Sequence, residues 1–300
     1  MEACEPLGLG SIIMPKLTLT VCVYGDQQPL ERLLSHSTEC YDELLVVHDG
    51  PDFQDVRGLI TRFGGRFIER SRTFSQEPHF PFAFTSASHD WILRLDSDEF
   101  PSPQLHDWLI EFRGRPEPHG DISGYQCIWP VWDGTRSVTR GWPNKRTFLF
   151  HRQRIRWIGV FEQGAIAEAK FVRVPFVLCH QPEGKSHGFG NILGKQRTDQ
   201  GRTNTAVALL GSPQEHPRWR YDSPEWPPVW KQIKEHPILT GLWRLFVWPP
   251  RQALAMLLAG DIPRPSIFCH AGVFHATLCY KYWRERSLQR RGKTKHISAA

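Results

Sequence analysis

Three hundred residues, 40% of them hydrophobic and 23% charged, suit one large globular domain or one and a half. The formal charge of +6 comes from the end of the chain, where residues 281–300 hold seven Lys/Arg against one Glu while residues 1–280 balance at thirty against thirty. A neutral body argues against nucleic acid as a partner, since phosphate binding needs a basic face, and seven scattered cysteines without a CxxC pair argue against a zinc site or a disulfide framework and for reduced thiols.

The opening "MEACEPLGLGSII" has neither a basic stretch nor a long apolar run, so no secretory signal peptide is expected, and residues 1–14 are read as an extension outside the folded unit. "LTLTVCVY" (17–24) is β-branched, apolar and stopped by Gly25, the pattern of a buried strand. "PLERLLSHS" then sets Leu30, Leu33 and Leu34 at helical spacing behind a proline suited to a first turn. "DELLVVHDG" (42–50) predicts a second strand, "DVRGLITRFG" a helix closed by Gly64 and Gly65, and "RFIER" a third strand. After a loop with Pro78 and Pro81, the small-residue stretch "AFTSASHD" leads into the strand "WILRL". This alternation implies an α/β fold, a mostly parallel sheet flanked by helices. From 121 to 180, "GYQCIWPVWDG" and "KRTFLFHRQRIRWIG" alternate apolar and polar residues and predict antiparallel strands added at the sheet's edge, followed by a strand "AKFVRVPFVLCH" ending at His180. "GFGNILGKQRTDQGRTNTAVALL" reads as a polar, basic helix. Residues 211–232, rich in Pro and Trp, read as a linker, and 233–300 as short amphipathic helices with a basic tail.

The strand "WILRL" ends in three acids within four residues, Asp96, Asp98 and Glu99. In open α/β sheets ligands bind beyond the carboxyl ends of strands, and Asp49 ends the second strand, so all four acids are expected to share one crevice. On an extended backbone Asp96 and Asp98 point to one side. Such a pair suits a hard divalent ion, Mg²⁺ or Mn²⁺, that keeps positions open for phosphate oxygens and stabilises a departing diphosphate. Asp-x-Asp is common by chance, so its place at a buried strand's end carries the reading. Arg94, inside that strand, is expected to pair with a nearby carboxylate.

"TVCVYGDQQPLERLL", "ELLVVHDG" and "HDWILRLDSDE" resemble the nucleotide-sugar half of family 2 glycosyltransferases with the GT-A fold, nearest to bacterial enzymes of lipopolysaccharide core biosynthesis. The likeness continues, more weakly, through "GWPNKRTFLFHRQRIRWIGVFE", the strand ending at His180 and "GKQR", and covers roughly residues 15–200. It implies a GT-A domain over 15–210, with a nucleotide-sugar half (15–120) and an acceptor half (121–210). It makes "DSD" the DxD motif, with Asp98 on the metal and Asp96 near the ribose, and sets Tyr24 and Asp49 against the nucleotide base. His180 completes the metal site or touches the diphosphate, and Lys195 and Arg197 reach the diphosphate from the following helix. Three departures stand out: His48 and Pro51 replace the first acid and the serine of the family's DDGS turn, and "HFPFAF" replaces an Arg-Asn pair.

An inverting transfer needs a carboxylate to take the acceptor's proton. By the same likeness Trp157 and "GVFE" mark Glu162 as that base, with Asp133 in "VWDG" as the alternative. The implied partners are a nucleotide-sugar donor, UDP being commonest in the family, and a glycan or glycolipid acceptor. At the C-terminus no run reaches the ~20 apolar residues of a membrane span. Trp243, Trp248, Tyr280, Tyr282 and Trp283 beside a basic tail suit a peripheral protein at the cytoplasmic face of a membrane. The rival readings are a catalytically inactive assembly subunit of the same fold, and a sugar-nucleotide pyrophosphorylase. The latter is disfavoured because "YGDQQPLER" lacks a Gly-rich basic loop.

Overall fold

The computed structural model describes residues 14–182 apart from 119, 133–136, 139–144 and 158–163, residues 203 and 207, and residues 228–291 apart from 259, 261 and 264–267. The first strand, β1 (Leu17–Val23), is buried along its whole length, and helix α1 (Gln27–Ser35) returns beside it with Leu30, Leu33 and Leu34 inward. Strand β2 (Glu43–Asp49), helix α2 (Val56–Arg62) and strand β3 (Arg66–Arg70) follow as expected, with Gly64 at φ +68° closing α2. Helix α3 (Phe80–Ser86) precedes β4 (Trp91–Arg94), and β5 (Glu99–Pro101) leads into helix α4 (Pro103–Arg113).

Strands β6 (Ile122–Ile128), β7 (Val131–Trp132), β8 (Ser137–Val138), β9 (Lys145–His151), β10 (Ile155–Arg156), β11 (Ile166–Ala167) and β12 (Lys170–His180) come next. Eight of the strands form one sheet in the order β3-β2-β1-β4-β9-β6-β12-β5, while β7–β8 and β10–β11 are small ribbons. The expected mostly parallel sheet with antiparallel additions is present, with one correction. β9 runs against β4 and β6, but β6 therefore runs with the first four strands and pairs parallel with β12. Alternation of apolar and polar residues reports a half-buried strand and carries no direction. Both sheet faces are covered. Leu17, Leu19, Val21 and Val23 pack with α1 and α4 on one side. Cys22, Leu45, Val47 and Ile92 pack with Phe80, Phe84 and Trp157 on the other.

Four helices close the described chain: α5 (Pro228–Glu235), α6 (Pro237–Phe246), α7 (Trp248–Leu258) and α8 (His270–Arg290). The linker expected through residue 232 thus ends sooner, since Pro228 sits in a first turn where its missing N–H is no loss. Trp230, Ile233, Phe274, Leu278 and Cys279 bury one another, with Ile166 packed against them.

Candidate active site

The chain leaves β1 for β2 and β3 on one side and returns to place β4 on the other, so the sheet order reverses between β1 and β4. Crevices form at such switch points, and a cavity of about 480 Å³ opens there. Asp26 lines it from the turn after β1, Gln27 from the start of α1, Gln54 from the turn after β2, and Ser97 and Asp98 from the turn after β4. Ser97 Oγ donates to Asp26 Oδ2 at 3.1 Å, tying two of these turns together.

The three acids after β4 do not act as one cluster. Residues 96–99 form a turn, closed by Glu99 N–H donating to Asp96 O at 3.0 Å, rather than an extended segment, so Asp96 and Asp98 diverge. Asp96 accepts from Arg94 Nη2 at 2.9 Å and from Arg146 Nη2 at 2.5 Å. Glu99, fully buried, accepts from Arg146 at 3.2 Å, from Trp129 Nε1 at 2.7 Å and from the Asp96 amide at 2.8 Å. Burial works against the charge on Asp96, but Arg146 and then Arg94 hold its carboxyl below the ordinary value. On Glu99 burial prevails and the carboxyl is pushed up. Arg94 pairs with a carboxylate as expected, and lies over Phe80 (4.1 Å) and Trp157 (5.2 Å). Phe80 belongs to the "HFPFAF" departure, so that segment supplies the apolar floor beneath Arg94.

Asp98 turns the other way, toward His180, with 3.5 Å between Asp98 Oδ2 and His180 Nε2. The pairing of β5 with β12 creates this meeting: Glu99 stands opposite His180 in the ladder, and the Gln181 amide donates to Asp98 O at 2.9 Å. The His180 ring lies against Trp129, centroids 4.7 Å apart and planes tilted by 31°, and its Nδ1 is buried without a hydrogen-bond partner. Two ligands at ~2.1 Å on adjacent octahedral positions stand ~3 Å apart, so the Asp98–His180 spacing fits a shared divalent ion. Among the described residues no three His, Cys, Asp or Glu side chains form a fuller cage. A two-ligand set leaves positions for phosphate oxygens and water.

Asp49 does not line the cavity, contrary to the expected shared crevice. Its buried carboxylate accepts from His79 Nε2 at 2.9 Å and from the Thr73 amide and hydroxyl, with Arg72 Nε 3.6 Å away. Burial opposes its charge, yet His79, the Thr73 amide and Arg72 hold the carboxyl below its ordinary value. Asp49 acts on the surface through Arg72, whose guanidinium lies over Tyr24 and 4.8 Å from the centre of Phe74. Tyr24, 42% exposed, and Phe53, 56% exposed, stand 4.8 Å apart. Together these form an open shelf of rings and one cation beside Gln54. Sequence reasoning missed Arg72, Arg146 and Phe53, although an Arg in a loop and an exposed Phe after a strand-end Asp-Gly were visible.

His48, the first departure, is fully buried. Its Nε2 accepts from the Gly25 amide at 3.0 Å and its Nδ1–H donates to Gly50 O at 2.7 Å, so one neutral tautomer clamps the turns after β1 and β2. A histidine thus does a structural job in place of the acid. Glu162, Asp133, Lys195 and Arg197 lie outside the described residues. Trp157, five residues before Glu162, is buried against Phe80, Phe84 and Arg94.

No protein-family model and no curated protein matches the chain. Among solved structures it is similar to a mannosyltransferase from Pyrobaculum calidifontis in complex with GDP-Man and Mn²⁺, at 12% identity and a TM-score of 0.47, covering 90% of this chain and 88% of that one. It is also similar to glucosyl-3-phosphoglycerate synthase from Mycobacterium tuberculosis in complex with Mn²⁺, UDP and glucosyl-3-phosphoglycerate, at 14% identity and a TM-score of 0.38, covering 67% of this chain and 82% of that one. The same synthase in complex with Mg²⁺ and UDP gives a TM-score of 0.37 at 14% identity, covering 67% and 81%.

Proposed function

We propose that this protein is a metal-dependent, inverting glycosyltransferase of the GT-A, family 2 kind. It moves a sugar from a nucleotide diphosphate donor, UDP by the family likeness, to a hydroxyl of a glycan or glycolipid of the lipopolysaccharide or cell-surface polysaccharide type. It works as a peripheral protein at the cytoplasmic face of a membrane. The observation that carries the reading is the Asp98–His180 pair at the mouth of a switch-point cavity. Bound Mg²⁺ or Mn²⁺ would neutralise the charge that develops on the departing diphosphate.

The remaining roles belong to the chain. The Tyr24, Phe53, Phe74 and Arg72 shelf stacks the base, and Asp49 fixes Arg72 in place. Asp96, held by two arginines with its side chain a quarter exposed, offers a fixed acceptor for a ribose hydroxyl. Arg146 and Glu99 keep that carboxylate and Trp129 still, and Trp129 orients His180. Lys195 and Arg197 bind the diphosphate. Glu162, or Asp133 in its stead, takes the acceptor proton.

The test is thermal melting with UDP, GDP, CDP and dTDP, each with and without Mn²⁺, on wild type and Asp98→Ala. A ligand at a hundred times its Kd stabilises the fold by about 2.7 kcal/mol, a rise of ~5 °C for a chain this size. The expected result is a Mn²⁺-dependent rise with one nucleotide that Asp98→Ala abolishes. No rise with any nucleotide would overturn the reading in favour of an inactive assembly subunit.

A further inference from the structure

Seventeen large hydrophobic side chains among the described residues are exposed, and twelve of them lie between residues 238 and 283. The extremes are Leu258 at 81%, Ile262 at 74%, Leu239 at 68% and Phe246 at 66%. Single exposed apolar residues need no explanation, but contiguous patches mark interaction surfaces. The packing of α6 on α8 explains why so much is left over. Their seam is made of small residues: a Cβ on Gly241 would stand 3.1 Å from Cys279 Cβ, and one on Gly272 only 2.5 Å from the Arg244 carbonyl oxygen. The larger residues of α6 are thereby turned outward, bordering a groove of about 300 Å³ between Leu242, Leu245, Tyr280 and Trp283.

What covers this face follows from charge and extent. Residues 228–300 carry twelve Lys/Arg and three Asp/Glu, against twenty-five and twenty-eight in residues 1–227. The apolar surface is thus set in a part of the chain with a net surplus of nine basic residues, where the rest has a net deficit of three. Arg251, Arg284, Arg290 and Arg291 are exposed on or beside its helices. A second copy on a two-fold axis would bring the same cations together. A single acyl chain in the groove would leave Leu254, Leu257, Leu258 and Ile262 in water. No described helix is long and apolar enough to cross a membrane. An extended face with aromatic residues at its edge and cations around it matches the headgroup boundary of an anionic bilayer.

We infer that α6, α7 and α8 lie on the surface of an anionic phospholipid bilayer, with Leu239, Leu242, Phe246 and Leu258 among the acyl chains and Arg284, Arg290 and Arg291 at the lipid phosphates. The inference gives the peripheral location proposed above its face and its lipid chemistry, and it rests on that location but not on sugar transfer. The experiment is flotation of the full chain with phosphatidylcholine vesicles, with and without phosphatidylglycerol, in the absence of nucleotide. Binding is expected only with phosphatidylglycerol, weakening as salt is raised. Replacing Arg284, Arg290 and Arg291 together by Gln is expected to lower partitioning on the order of a hundredfold. Leu239→Gln with Phe246→Gln, at exposed positions that leave the core intact, is expected to abolish flotation without moving the melting midpoint or its nucleotide response. Failure to float with either vesicle, or flotation that the variants leave unchanged, would overturn the inference. So would a wild-type dimer in sedimentation that Leu239→Gln with Phe246→Gln dissociates. A nucleotide response without flotation would sink this inference and the peripheral location while leaving the transfer standing, and flotation without a nucleotide response would sink only the proposed transfer.

Discussion

Arg146→Met would test how the acid turn is built. The substitution removes the guanidinium shared by Asp96 Oδ2 (2.5 Å) and Glu99 Oε2 (3.2 Å). Deleting one partner of a buried ion pair costs about 3–5 kcal/mol. Asp96 keeps Arg94 and a quarter of its side-chain surface in water, so the lower end applies: about 3 kcal/mol, or ~6 °C in melting midpoint. Glu99 sets the pH dependence. Burial already raises its carboxyl above 4.5 and Arg146 restrains that rise, so removing Arg146 raises it further. A carboxyl raised in the folded state holds its proton more tightly there than in the unfolded chain. Stability therefore falls as pH climbs from the unfolded value through the folded one. The loss in Arg146→Met is thus expected to be smaller at about pH 5 than at about pH 8. Glu99→Gln in the same background is expected to flatten that slope and recover part of the loss at the higher pH. Urea denaturation across this range measures both. A loss under about 1 kcal/mol with the wild-type pH slope would refute the reasoning and make Arg146 an ordinary solvated pair.

His180→Ala is expected to shift the Mn²⁺ midpoint of the nucleotide-dependent melting rise by about tenfold or more; an unchanged midpoint would remove His180 from the metal site. Gly25→Ala forces a Cβ at φ +68° to within 2.8 Å of Gln54 Oε1 and Phe53 Cζ. It is expected to cost about 1–2 kcal/mol for the left-handed backbone and to weaken nucleotide binding as Gln54 moves; wild-type binding would show that the cavity wall is not needed. Glu162→Gln is expected to slow transfer by about 10²–10⁴-fold while leaving the nucleotide melting response intact, and undiminished transfer would move the role to Asp133.

The elements legible in the sequence were those whose patterns are local. β1, β2 and β4 are apolar runs bounded by Gly or acids, and the leucines of α1 declare one face. Helix α3 escaped because "FPFAFTS" buries four of its seven residues and shows no polar stripe. Helix α4 went unassigned although its signals were present: Ser102 caps it by accepting from the Leu105 amide at 3.3 Å, Pro103 opens it and Gly114 ends it. The place of Asp98 at the rim of a crevice was legible because a strand end is a local feature. The separation of Asp98 from Asp96 and Glu99 was not, because Arg146 lies fifty residues from Asp96. For the same reason Asp49 looked like a free strand-end acid, although residues 72–79 occupy it.

The chain passes directly from β4, in the middle of the sheet, to β5, which pairs with the last three residues of β12, Leu178–His180. The acid turn is the whole of that link, and it is moored on one side by β4 and on the other, through β5, by the end of β12, about eighty residues later in the chain. Translation therefore completes this site late. A nascent chain that has just exposed Asp98 has no His180, no Trp129 and no Arg146 to go with it, and three like charges stand together with only Arg94 nearby. Trp129 after β6, Arg146 on β9 and His180 at the end of β12 supply the missing partners in turn, so fragments ending before residue 180 would carry the acids without them.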